Sequence, residues 1–122
     1  MAVSKIEVNS TSSTLTDGLS KYWLNFSMAG TTQRSDSLNS GSITDNGTGD
    51  FTLAFTNNFN YEGYCITYCI GGHDSSDGHW DYDGGTYDQL TSSIQVKAFT
   101  QGSSIATRDA IGNNWSAKGD LA

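Results

Sequence analysis

Apolar and polar residues alternate with a period of two through most of this chain, and that alternation predicts strands. The clearest case is the stretch 42–56, S-I-T-D-N-G-T-G-D-F-T-L-A-F-T, where Phe51, Leu53 and Phe55 form one apolar row against Thr52, Ala54 and Thr56. Ile43 and Thr44 lead into Asp45-Asn46-Gly47, residue types that accept positive φ at little steric cost, so the stretch is predicted to be a hairpin turning there. A strand over 21–28 would place Tyr22, Leu24, Phe26 and Met28 on one face and Trp23 on the other. A polar strand is expected over 33–39, a polar bend over 57–60, and a strand over 64–70 with Tyr64, Ile66, Tyr68 and Ile70 sharing a face. Alternation returns over 92–100 through Ile94, Val96 and Ala98, and weakly over 115–121, while 106–114 has no clear pattern.

No window has a long helical period, and there is no proline among 14 glycines. The pattern predicts an all-β chain, a single antiparallel β-sandwich of about seven or eight strands. Its domain would span 18–122, behind a short N-terminal arm, 1–17, in which Lys5-Ile6-Glu7-Val8 alternates as a short strand or extended segment would.

Composition changes this picture in two ways. Hydrophobic residues make up 35% of the 122, a thin supply for one core, and oligomerisation is an ordinary remedy. The net charge is −7 with a pI near 4.3, which argues against nucleic acid as a partner. There is no apolar run of about 18 residues to insert in a bilayer, and the N-terminus has no apolar segment of the secretory kind, so synthesis in a cytoplasm without a signal peptide is expected.

Candidate chemistry concentrates in 71–88, which lacks apolar periodicity and is expected to be a long loop. Five of the 13 acidic residues lie there, and no Lys or Arg occurs between Arg34 and Lys97. Asp77, Asp81 and Asp83 are candidate oxygen ligands for Ca2+, although their spacing does not match an EF-hand. His73 and His79 are candidate ligands for a transition metal held with symmetry mates on a threefold axis. Trp80, Tyr82 and Tyr87 are candidate platforms for a sugar ring or a protein partner, with the Asp81 and Asp83 carboxylates accepting hydroxyl hydrogen bonds. The plainer alternative is a solvated acidic loop over packed aromatics, with no cofactor at all.

Cys65 and Cys69 stand four residues apart within a predicted strand, about 13 Å between Cα atoms, beyond disulfide reach. They are expected to be two small buried residues, the other reading being a zinc pair completed by His73 or His79. A glycosidase built on Asp81 and Asp83 finds no support in the spacing, and no nucleophile elbow, zinc-protease or phosphate-loop motif occurs, so no enzyme is expected.

Three segments together, 18–26 (G-L-S-K-Y-W-L-N-F), 34–39 (R-S-D-S-L-N) and 42–56, resemble a module of bacteriophage tail fibres that is also common in marine phage virion proteins. The resemblance is specific over 18–56 and holds only in outline for the later strands. It implies a compact β-sandwich, usually a homotrimer displayed at the virion surface, whose variable loops engage a host receptor, and it assigns no catalytic residues. The expected function is a non-enzymatic tail-fibre or adhesin protein that binds a host surface glycan or protein through 71–88. A capsid decoration or head-spike protein, attached to other virion proteins through 1–17 by strand addition, and a calcium-dependent carbohydrate-binding module are the alternatives.

Overall fold

The computed structural model describes residues 19–71, 81–101 and 106–122. The order is β1 Tyr22–Ser27, β2 Gln33–Leu38, β3 Ser40–Gly47, β4 Asp50–Phe55, β5 Cys65–Ile70, β6 Asp81–Gln89, β7 Ser93–Gln101, β8 Ala106–Thr107 and β9 Asn113–Lys118. Eight of these strands have six residues or more, and the two-residue β8 is the ninth. They form two antiparallel sheets packed as a sandwich, one ordered β2-β1-β9-β5 and the other β3-β4-β7-β6, with β8 pairing to β7. The predicted fold class is therefore the observed one.

Strict alternation builds the core. Tyr22, Leu24, Phe26 and Met28 from β1 and its end meet Phe51, Leu53 and Phe55 from β4 and Ile94, Val96 and Ala98 from β7, all buried. Aromatic rings compensate for the small apolar fraction, since each buries a large area. Phe55 packs edge-on against Tyr22 at 4.8 Å, Phe59 at 5.0 Å and Tyr64 at 5.6 Å, and Phe59 stacks on Tyr64 at 4.2 Å. Phe59 sits in the stretch expected to be a polar bend, yet it is fully buried and bridges to Leu121, closing one end of the sandwich. The chain crosses between sheets at Asn39, whose left-handed φ of 57° an asparagine tolerates. Its carboxamide accepts from Asn57 N at 2.7 Å and donates to Asn57 O at 3.0 Å, fixing the corner.

Four expectations are corrected. The hairpin does not turn at Asp45-Asn46-Gly47. The strand runs on to Gly47, in register with Asp50, and the turn falls at Thr48-Gly49. The reason is tertiary: Gly49 has φ 65°, donates its N–H to Asp109 Oδ1 at 2.7 Å and accepts from Ala98 N at 2.8 Å. A Cβ there would lie 2.5 Å from Ala98 O and 2.7 Å from Arg108 O, so only glycine fits the tip. Second, Cys65 and Cys69 are exposed free thiols, because they share the outward parity of β5 while Ile66 and Ile70 pack against the core. Third, 81–88 is not loop but most of β6, paired with β7 from Asp81↔Gln101 to Gln89↔Ile94. Fourth, the last strand starts at Asn113 and ends at Lys118, with Trp115 and Ala117 inward. The arm 1–17 lies outside the described residues.

Candidate functional site

The residues predicted to act are distributed by β6. Its backbone carries Asp81, Tyr82, Asp83 and Tyr87 along the edge of the five-stranded sheet. Tyr87 is the one of these whose side chain is described. The pairing slips between Thr86 and Asp88, a β-bulge that leaves Tyr87 without a register partner, and the Tyr87 ring stands outward, 73% exposed. Asp77, His73, His79 and Trp80 lie outside the described residues, as do the side chains of Asp81, Tyr82 and Asp83. Among the described residues, no three His, Cys, Asp or Glu side chains converge in a way that would hold a metal ion.

Tyr87 ends a polar network running across the outer face of that sheet. The Lys97 ammonium sits 3.8 Å from the Tyr87 ring centroid, a cation–π contact, and 3.2 Å from Asp50 Oδ2. Asp50 Oδ1 accepts from Gln95 Nε2 at 2.7 Å and from Asn46 Nδ2 at 3.2 Å, and Asn46 Nδ2 reaches Thr52 Oγ1 at 2.8 Å. Partial burial alone would raise the Asp50 carboxyl. The hydrogen bonds from Gln95 and Asn46, with the Lys97 charge, outweigh it and hold the group below the ordinary carboxylate range. Burial pushes the Tyr22 and Tyr64 phenols well up, so these groups move away from neutral pH. Tyr64 nevertheless donates to Leu90 O at 3.0 Å, tying β5 to the end of β6.

The Lys97 charge is paired with Asp50, the carboxylate also accepts from Gln95 and Asn46, and the Tyr87 ring of this network is largely exposed. Asn46, Asp50 and Lys97 were not singled out from the sequence, because their meeting depends on the registers β3↔β4 and β4↔β7.

On the opposite outer face, that of the four-stranded sheet, the outward residues at the centre of β1, β9 and β5 are uncharged, with Asp36 in register with Asn25 and Lys118 in register with Cys65 at the flanks. Trp23, Ser116 and Thr67 lie in one register row across β1, β9 and β5, and Asn25, Asn114 and Cys69 in the next. Thr67 Oγ1 and Ser116 Oγ are 2.6 Å apart, and Asn25 Nδ2 donates to Asn114 Oδ1 at 2.6 Å. An open groove of about 330 Å³ runs between these rows, lined by Trp23, Thr67, Cys69, Asn114 and Ser116. The outward parity of Trp23 was the one sequence signal for this face.

Comparison with protein-family models, with curated proteins and with solved structures found no match for this chain.

Proposed function

We propose that this chain is a non-enzymatic virion-surface structural protein of the tail-fibre or adhesin type, and that it engages a host-cell envelope component through 71–88. The observation that supports the reading best is Tyr87, a largely exposed ring set on a bulge and braced by Lys97 on the strand that carries Asp81, Tyr82 and Asp83. A rigid aromatic with few rotatable bonds is an efficient contact residue, because little conformational freedom remains to be lost on binding. The resemblance of 18–56 to phage tail-fibre modules supplies the setting.

The test is adsorption. Virions carrying Tyr87→Ala, or with 72–80 replaced by a Gly-Ser linker, should adsorb to host cells more slowly than wild type. Unchanged adsorption by both would overturn receptor binding through this segment. Antibody labelling of intact virions should find few copies at the tail, and dense labelling of the capsid would instead favour a decoration protein.

A further inference from the structure

We propose that the groove on the outer face of the four-stranded sheet is a second binding site, one that takes a ring of an uncharged saccharide. It goes beyond the reading above, because it lies on the opposite sheet from Tyr87 and shares no residue with that network.

The chemistry of the lining points to this ligand class. Trp23 is half-buried on an outward position of β1, where its indole forms an apolar wall. A pyranose presents a face of C–H bonds that stacks on such a ring, and a rim of hydroxyls that needs neutral donors and acceptors. Asn114, Ser116 and Thr67 supply those groups from two adjacent strands. The cross-strand hydrogen bonds Asn25 to Asn114 and Thr67 to Ser116 pre-orient them, and a hydroxyl or amide oxygen that makes one such bond has a second lone pair with which to accept. Pre-oriented polar groups lose little freedom on binding.

Charge decides against other occupants. No charged side chain lines the groove, and Lys118 lies on the same face, in register with Cys65, without lining it. An anionic headgroup or acidic peptide would find no counter-ion there. A volume of about 330 Å³ lies within the roughly 300–1,000 Å³ typical of small-ligand sites.

Cys69 gives the site an internal reporter. It lines the groove, whereas Cys65, also exposed on β5, does not. The full-length protein is screened on an array of neutral oligosaccharides, and hits are tested for protection of each thiol from iodoacetamide, read by mass spectrometry. The expected result is a hit that slows alkylation of Cys69 and leaves Cys65 unchanged. Trp23→Ala should weaken that binding roughly tenfold or more, and Trp23→Phe, which keeps a ring, should retain part of it. Circular dichroism confirms that both variants fold. Tyr87→Ala should bind the saccharide as wild type does, which separates this site from the one proposed above. No binding of any neutral saccharide at roughly millimolar concentration, protection of both thiols alike, or full binding by Trp23→Ala would each overturn the proposal.

Discussion

The two outer faces of the sandwich are built from the same alternation and end with opposite surface chemistry. On the five-stranded sheet, β4 and β7 bring Asp50 and Lys97 together, Gln95 and Asn46 hydrogen-bond the carboxylate, and the Tyr87 ring stands proud. On the four-stranded sheet, β1, β9 and β5 set Trp23, Asn25, Asn114, Ser116 and Thr67 in two neutral rows with a groove between them. On the first face the described polar groups bond to one another and the Tyr87 ring projects. The second leaves them beside a hollow. Both stand on one core, so the contrast arises from cross-strand register and not from different folding units.

The strongest way to break that comparison is to remove what the faces share. Phe51 is fully buried and packs edge-on against Phe26 of the other sheet at 5.8 Å. Phe51→Ala should cost about 3–5 kcal/mol, with Cys69 alkylation and intrinsic fluorescence reporting one coincident urea transition. Two separate transitions would mean that the sheets unfold independently.

Gly49→Ala acts on one face only. Its Cβ would collide with the Ala98 and Arg108 backbone at a positive φ, so a loss of more than ~2 kcal/mol is expected. Native-state alkylation of Cys65 and Cys69, on the far sheet, should stay at wild-type rates.

A smaller effect separates the faces by pH. Because the Asp50 carboxyl is depressed in the folded state, it contributes stability above its unfolded pKa of about 3.9, and that contribution is lost as pH falls through the lower folded value. The wild-type advantage over Asp50→Asn in urea midpoint should be present at about pH 6 and shrink toward pH 3. A constant difference would mean that the carboxylate charge is not what the network stabilises. Smallest of all, Tyr87→Ala should change stability by only about 0.5–1 kcal/mol, the size of an exposed cation–π contact. A larger loss would make Tyr87 a structural residue instead of a displayed one.

Much of the fold was legible in the sequence because half-buried strands write their burial every second residue. The inward rows of β1, β4 and β7 were all readable that way. β6 was not, and Gly84 shows why. It occupies a buried inward position, yet a Cβ there would lie 2.0 Å from Ile70 Cδ1, so the opposing sheet fills the space that a side chain would have used. A strand whose inward residue is glycine carries no apolar period. The cysteines were misread for the converse reason: small apolar residues are usually buried, but their parity with Thr67 set them on the uncovered face. Of the candidate site, Tyr87 was legible as an aromatic in an acidic stretch. Its bulge and its Lys97 contact were not, since both depend on pairing with β7.

By itself, the sequence determined that the chain is all-β, which residues face the core along most strands, and where aromatic and acidic residues concentrate, because these follow from local periodicity and composition. Tertiary structure decided the rest. It moved the hairpin turn from Asn46-Gly47 to Thr48-Gly49, since only there can the backbone fit against β7 and Asp109. It also made the two faces, by setting Asn25 beside Asn114 across 89 residues and Asp50 beside Lys97. Such juxtapositions depend on register between distant strands, and no local pattern encodes that register directly.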